Sequence, residues 1–410
     1  MAAGQCRGCR APLGHPFLDL GALPLANSYL RREDLDRAEP FYPLGVYVCE
    51  ACFLVQLPVV QAPDAIFREY AYFSSFSQSW LSHSGQFANR MADRLGLGPA
   101  ALVIEVASND GYLLRFFKER GIPVLGIEPA QNVAAAAQSG GIPTIAEFFG
   151  SAMARQLAEA GNRADLVIAN NVLAHVPELD DFVTGLALVL KPGGLLTMEF
   201  PHLLRLLAEN QFDTIYHEHL SYFSLGVVQG ILGRRGLSVV DVEELPTHGG
   251  SLRVHARHRE EAGSGRVGRV EALIAEEEAA GLTRRERYDR FAEQVRETKR
   301  ALLDFLIAVK RKGHSIAGYG APAKGNTLLN YCGVRGDFLD YTVDRSPHKQ
   351  GLFLPGTRIP IHAPERIMET KPEYVLILPW NLRAEIMEQM SGIREWGGRF
   401  VVPIPRVEVC

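Results

Sequence analysis

A chain of 410 residues is long enough for two or three domains, each with its own core. It is 47% apolar and 22% charged, as ordinary globular proteins are, and a net charge of -4 argues against an extended surface for nucleic acid or acidic lipid. No apolar run reaches membrane-spanning length and the first residues lack a basic-then-apolar targeting pattern, so a cytoplasmic protein engaging no membrane and no nucleic acid is expected.

The first element in chain order is a cysteine pattern. Cys6 and Cys9 form one C-x-x-C pair, and Cys49 and Cys52 form a second about 40 residues later. Each such turn presents two thiolates to one side of a metal, and two turns close a tetrahedral zinc site with no open position. Disulfides are the alternative. They are disfavoured because no export signal precedes Cys6 and because Cys332 and Cys410 stand alone. A closed four-cysteine site is structural and carries no chemistry by itself. Residues 1–70 read as this zinc module, with β alternation in Tyr42-Pro43-Leu44-Gly45-Val46-Tyr47-Val48.

Residues 71–260 read as an α/β domain. A helix is expected over 77–95, then a buried strand over 101–106, a turn over 107–111 and a helix over 112–120. A second strand covers 123–128, with a helix after Pro129. A third strand covers 164–169, followed by a helix over 179–190. The turn Lys191-Pro192-Gly193-Gly194 is expected to precede a strand over 195–200. Strand and helix alternate throughout, as in a doubly wound parallel sheet. Residues 261–410 form a second, smaller Rossmann-like unit. Its lead-in, 261–312, is charged and rich in Ala and Glu and reads as one or two long helices. Strands are expected at 315–319, 338–344 and 374–378.

Open α/β sheets bind ligands at the carboxyl ends of their strands. The first strand ends in Glu105-Val106-Ala107-Ser108-Asn109-Asp110-Gly111. The second ends in Glu128-Pro129, where a carboxylate can accept bonds from two ribose hydroxyls. The third ends in Asn170-Asn171-Val172-Leu173-Ala174-His175. This ordered set resembles a class I S-adenosylmethionine (SAM) methyltransferase. A dinucleotide oxidoreductase would need G-x-G-x-x-G to seat a pyrophosphate, and that pattern is absent. SAM has no phosphate, so its loop can carry acidic groups, which suit the cationic sulfonium.

The segment from Asp213 to Ser224 holds Tyr216-His217-Glu218-His219 amid further aromatic residues. Tyr216 and His219, three apart, share a face if the segment turns helically. A His-Glu-His metal site is disfavoured because adjacent side chains point apart and H-E-x-x-H spacing is missing. The chemical reading is a general base, His219, with a phenol and a carboxylate beside it. Further on, Gly318-Tyr319-Gly320-Ala321-Pro322-Ala323-Lys324-Gly325-Asn326 follows a strand and opens a helix. Spacing alone leaves a ligand loop and a packing turn both open. Asp344, Lys349, Trp380 and Asn381 end later strands and are further candidates.

Taken in order, these motifs resemble a known family: the sugar C-methyltransferases that build branched deoxysugars for antibiotics and bacterial surface glycans. The resemblance also takes in Tyr72-Phe73-Ser74-Ser75 and His248-Gly249-Gly250-Ser251 and covers nearly the whole chain. It implies a zinc domain, a SAM domain and a C-terminal Rossmann-like domain that helps hold a nucleotide-linked 4-keto-deoxysugar, dTDP being the expected nucleotide. It implies that His219 is the base, with Tyr216, Glu218, Tyr72 and His175 around the reacting carbon. It places His248, Lys324, Asn326, Asp344 and Trp380 on the substrate side. The expected reaction is SAM-dependent methylation of the carbon next to the ketone, through an enolate. Sugar O- or N-methylation and a non-catalytic SAM sensor are the alternatives, and a monomer is the expected state. Two positions depart from the family. Ala107 stands where Gly is usual, which a backbone at negative φ would tolerate. His217 stands where Asp is also found.

Overall fold

Alternating inward and outward side chains build the first sheet. The computed structural model describes residues 4–61, 74–76, 78–261 and 268–410. In it, β1 (Leu18–Leu23) and β2 (Tyr42–Val48) pair antiparallel, Leu18 opposite Val46. Leu44, Val46 and Val48 are buried on one face, the period of two that a half-buried strand requires. β3 (Val55–Gln56) pairs with the end of β2.

α1 (Gln78–Leu95) then leads into the central sheet. Its parallel strands are β4 (Val103–Val106), β5 (Val124–Ile127), β6 (Thr144–Ile145), β7 (Ala164–Ile168) and β8 (Leu190–Pro201). The crossovers carry α2 (Leu114–Glu119), α3 (Gln131–Ser139), α4 (Ser151–Glu159) and α5 (Leu179–Val189). All four residues of β4 are buried because helices cover both faces. Val103 packs with Phe87 and Phe117 on one face, and Ile104 with Phe182 and Val228 on the other.

The Lys-Pro-Gly-Gly segment departs from expectation. It lies inside β8 rather than ahead of it, and the pairing with β7 slips between Ala164 and Leu166. Gly193 takes φ 74, a left-handed value that lets the strand absorb the irregularity and resume pairing.

α6 (Leu203–Ala208) follows, and then β9 (Ser221–Tyr222), which leaves the central sheet and pairs with β3 of the first. α7 (Leu225–Gly233) returns the chain to β10 (Leu237–Leu245) and β11 (Ser251–His258). This antiparallel hairpin completes the order β10-β11-β8-β7-β4-β5-β6, the class I SAM methyltransferase sheet.

The lead-in forms α8 (Gly268–Ala279) and α9 (Arg285–Arg311). The last unit holds β12 (Ile316–Tyr319), α10 (Ala323–Cys332), β13 (Thr342–Val343), β14 (Ile361–His362), α11 (Glu365–Thr370), β15 (Tyr374–Ile377), α12 (Arg383–Gln389), β16 (Arg399–Val402) and β17 (Glu408–Val409). Its sheet runs β14-β13-β12-β15-β16-β17, parallel except for β17. β13 is shorter than the expected 338–344 because Phe338 and Leu339 fold back on the Arg335 carbonyl.

The packing crosses these units. Leu18 and Val46 of the first sheet share one core with Phe291 and Leu302 of α9 and Ile316 and Val375 of the last sheet. Among the described residues, no helix is long and apolar enough to cross a membrane.

Candidate active site and cysteine cluster

The two C-x-x-C turns are near copies of each other. The Cys6 carbonyl accepts from the amide of Arg10, and the Cys49 carbonyl from that of Phe53, both at 2.8 Å. Arg10 (φ 66) and Phe53 (φ 60) each take the left-handed conformation that closes the knuckle. Cys6 Sγ lies 3.6 Å from Cys52 Sγ, and Cys9 Sγ 3.5 Å from Cys49 Sγ. All four sulfurs fall within 4.8 Å of one another. A tetrahedron with Zn–S bonds of about 2.3 Å places its sulfurs about 3.8 Å apart, so these residues fit zinc. Two N–H groups, from Gly8 and Gln56, point at Cys6 Sγ at 3.3 and 3.1 Å and would steady a thiolate.

At the end of β4, Glu105 is fully buried and neither carboxylate oxygen has a hydrogen-bond partner of good geometry. Burial pushes its pKa well above the carboxylate range, with Tyr112 opposing and Glu128, Asp110 and Glu199 adding to the rise. The loop that follows is left-handed at Ala107 (φ 58), Asn109 (φ 50) and Gly111 (φ 76). The negative φ at which Ala107 would be tolerated is not the one found, and its methyl group carries about 1–2 kcal/mol of strain. Glu128, after β5, accepts from the amides of Asn109 at 3.0 Å and Ala130 at 2.9 Å. It thereby ties the loop to the second strand end, where Pro129 turns the chain toward α3. Close approach is built in at Gly126, where a Cβ would lie 2.5 Å from Ser108 Oγ. Asn171 (φ 54) anchors on the Glu199 carbonyl at 2.7 Å. Among the described residues, Ser108 Oγ, Asp110 Oδ1 and Asn170 Oδ1 have no hydrogen-bond partner here, and Glu105 has Tyr112 beside it. Nearly all are acceptors. They suit a ligand that brings ribose hydroxyls, an ammonium and a sulfonium, and SAM fits that description.

Beyond β7, the turn 216–219 is closed by the amide of His219 on the Tyr216 carbonyl at 2.9 Å. Tyr216 and His219 meet as expected, though in a single turn rather than a helix. The Tyr216 hydroxyl lies 2.9 Å from His219 Nε2, and the rings sit 4.1 Å apart. His219 Nδ1 lies 3.1 Å from the Thr214 carbonyl. A carbonyl only accepts, so Nδ1 carries the proton and Nε2 offers a lone pair, to which Tyr216 donates. Burial, with the neighbouring His175 adding to it, holds His219 well below the usual imidazole range. His175 faces His219 at 5.0 Å and donates from Nδ1 to the Glu218 carbonyl at 2.7 Å. Burial lowers its pKa as well.

Glu218 departs from expectation. Its carboxylate, buried and raised to about 7, is held not by His219 but by Asn27 of the zinc module, at 2.8 and 3.0 Å. His217 turns out of the cluster and donates to the Tyr42 carbonyl at 3.2 Å. Tyr72 lies outside the described residues. The amides of nearby Ser74 and Ser75 reach Asn109 Oδ1 and Asp110 Oδ2 at 2.9 and 3.2 Å.

Of the substrate-side candidates, His248 (φ 55) sits 5.4 Å from the Trp80 ring, which stacks on His83. Its edge is open to solvent, but the surrounding protein lowers its pKa to about 4, with Lys324 adding to the effect. Lys324 Nζ donates to Asn381 Oδ1 at 2.6 Å and lies 4.4 Å over the Trp380 ring. The Trp380 indole donates to Asp213 Oδ2 at 2.8 Å. Asn326 is 1% exposed and donates to the Ala26 carbonyl at 2.6 Å, so it joins α10 to the zinc module. Asp344 accepts from the amides of Ala321 at 2.7 Å and Ser346 at 2.8 Å, the same two bonds that Glu128 makes in the central sheet. Sequence reasoning missed Asn27, the role of Asp213, and the group that His83 of α1 forms with the buried Glu199 and Arg253. No spacing rule marks them, because their partners are remote in the chain.

Three family models match the chain: a zinc binding domain over 6–67, a methyltransferase domain over 82–242, and a C-methyltransferase C-terminal domain over 246–405. The C-methyltransferase NovU of Streptomyces niveus is 37% identical over 405 residues, spanning 99% of this chain and 96% of that protein. The chain belongs to the C-methyltransferase family. This C-methyltransferase is thus a SAM-dependent enzyme with a four-cysteine zinc module. It also resembles a ubiquinone biosynthesis O-methyltransferase of Agrobacterium fabrum, 27% identical over 30% of this chain and 58% of that one. The structure of magnesium protoporphyrin IX methyltransferase from Synechocystis PCC 6803 with bound SAM is 19% identical over 43% of this chain and 80% of its own, with a TM-score of 0.33.

Proposed function

We propose that this C-methyltransferase methylates the carbon next to the ketone of a nucleotide-linked 4-keto-deoxysugar, with dTDP as the nucleotide, and that His219 is the base. The observation that carries the proposal is the hydrogen-bond frame of His219. Thr214 holds the proton on Nδ1, so Nε2 carries the lone pair, which the substrate's α-proton takes in place of the Tyr216 hydroxyl. A C–H bond is a poor nucleophile, but a ketone acidifies the carbon beside it, and a neutral imidazole can then take the proton. Tyr216 orients the imidazole. His175 is set on the other side by the backbone of the same turn. Bound SAM supplies an electrophilic methyl group. In this reading Glu128 accepts from its ribose, and Glu105, Ala107, Ser108, Asn109, Asp110, Gly111, Pro129, Asn170 and Asn171 surround it. Zinc is structural, held by Cys6, Cys9, Cys49 and Cys52. The enzyme acts as a cytoplasmic monomer in branched-sugar biosynthesis, with residues 1–70, 71–260 and 261–410 as its three domains.

Solvent deuterium exchange at the α-carbon tests this reading. Wild-type protein is expected to exchange that hydrogen in a dTDP-linked 4-keto-deoxysugar without methyl transfer. His219→Asn keeps SAM and sugar binding, while exchange and methyl transfer fall together by at least about 10²-fold, the lower end of general base catalysis. Near-normal exchange in His219→Asn removes His219 from the role. A methyl group recovered on a sugar oxygen or nitrogen overturns the carbon acceptor.

A further inference from the structure

Removing the proton is half of the chemical problem. As the C–H bond breaks, its electron pair moves into a carbon–carbon double bond, the carbonyl π pair moves onto oxygen, and the proton passes to His219 Nε2, whose hydrogen bond from the Tyr216 hydroxyl is given up. The oxygen then carries a full negative charge, which a preorganised donor or cation must meet. The groups around His219 are poor in positive charge. Its own imidazole begins neutral. Burial holds His175 below the usual imidazole range, and the surrounding protein, with Lys324 adding to it, does the same to the exposed His248. The Glu218 carboxylate is engaged by Asn27.

Lys324 is lowered by burial too, with Asp213 opposing, but it starts from the lysine range, far above that of an imidazole. It sits in the first turn of α10, on the loop that closes over Gly320, where a Cβ would lie 2.5 Å from Pro379. Two contacts aim its ammonium: the Asn381 amide oxygen at 2.6 Å and the Trp380 face at 4.4 Å. Trp380 is itself fixed by Asp213, which lies one residue before the Thr214 whose carbonyl holds His219. A continuous chain of contacts therefore runs from the ammonium to the base. Among the described residues Lys324 makes no ion pair. The acid in its field, Asp213, is fully buried and turned onto the indole. An ammonium has three N–H groups, and Asn381 takes one. Its charge reaches both His219 and His248 and lowers their pKa values.

We infer that Lys324 is a catalytic residue whose ammonium binds the ketone oxygen of the substrate and stabilises the oxyanion that forms when His219 takes the α-proton. Trp380, Asn381 and Asp213 act through it as positioning residues. This rests on the enolate reading above. The competing role, a charge that only anchors the substrate's diphosphate, would affect binding and leave the chemical step alone.

The test measures α-hydrogen exchange in D2O with a dTDP-linked 4-keto-6-deoxysugar and S-adenosylhomocysteine, for the wild type, Lys324→Ala and Lys324→Arg. Saturating sugar is used, and KM is recorded separately. In Lys324→Ala the saturated exchange rate is expected to fall by about 10²–10³-fold, the effect of removing one oxyanion donor. SAM affinity should be unchanged, and added methylamine should restore part of the rate in this variant only. Lys324→Arg should retain more activity than Lys324→Ala. A rise in KM with an unchanged saturated rate overturns the inference in favour of a phosphate anchor. A fall that amines cannot rescue, together with weakened SAM binding, overturns it in favour of a structural role. If the wild type itself shows no exchange, the enolate reading fails first and this inference falls with it. If the wild type and Lys324→Ala exchange equally, only the role of Lys324 fails.

Discussion

What each ring nitrogen of His219 meets suits the base role proposed for it. The Thr214 carbonyl cannot donate, so it selects the tautomer, and burial disfavours the imidazolium. The sign of the pH effect follows. The pKa lies below the ordinary histidine value of about 6.5, so the neutral base persists on the acid side of that pH. The acid limb of kcat/KM is expected below pH ~6.5, and a limb at or above it would point to another group. Tyr216→Phe removes one donor while the Thr214 bond still orients the ring, so exchange should fall less than in His219→Asn. Glu128 serves both the loop and the expected ribose. Glu128→Ala should therefore weaken SAM binding about tenfold or more, given roughly 1.5–3 kcal/mol for a hydrogen bond to a charged group. Calorimetry giving an unchanged dissociation constant would place the ribose elsewhere.

At the scale of elements, the turn that carries His219 is fastened to the zinc module. β9, two residues after His219, pairs with β3, which follows the second cysteine knuckle. Arg7, inside the first knuckle, donates to the Leu220 carbonyl, and to Ser221 Oγ at 3.1 Å. His217 and Glu218 add the bonds to Tyr42 and Asn27. A metal held by the knuckles would therefore act on the proposed base through geometry alone. One zinc per chain is expected by elemental analysis, and Cys49→Ser should lower the yield of folded protein. In chelator-treated protein, amide exchange over 216–222 should rise before that over β4 and β7. Equal protection with and without metal would show that the knuckles do not hold the turn.

Across the whole molecule, the units are joined by buried polar contacts as well as by shared apolar core. Glu277 of α8 is 3% exposed and accepts from the amides of Leu225 and Gly226 at 2.6 and 3.0 Å and from His202 Nε2 at 2.8 Å. It caps α7 and pins the lead-in helix to the central sheet. Glu277→Ala leaves those donors without a protein partner, and stability should fall by about 1–3 kcal/mol. The urea midpoint should drop with little change in m, because the surface exposed on unfolding is nearly the same. A midpoint matching the wild type would show that the cap carries no stability.

Local patterns determined much of this protein. Cysteine spacing alone marked the zinc ligands, since a C-x-x-C turn brings two sulfurs together whatever surrounds it. Apolar runs bounded by turn residues marked most of the parallel strands, though not β6, β14 or β16, and the Tyr216–His219 spacing placed a phenol on an imidazole. Other features were decided only by the tertiary fold. The φ of Ala107 is set by the strand ends that grip its loop, which no residue preference reports. The absorption of Lys191-Pro192-Gly193-Gly194 into β8 depends on β7 being there to pair with. Glu218 turns to Asn27, and Asp213 to Trp380, because residues far apart in the chain are packed side by side. A buried polar group takes whichever partner the fold brings within reach, and sequence separation carries no record of that choice.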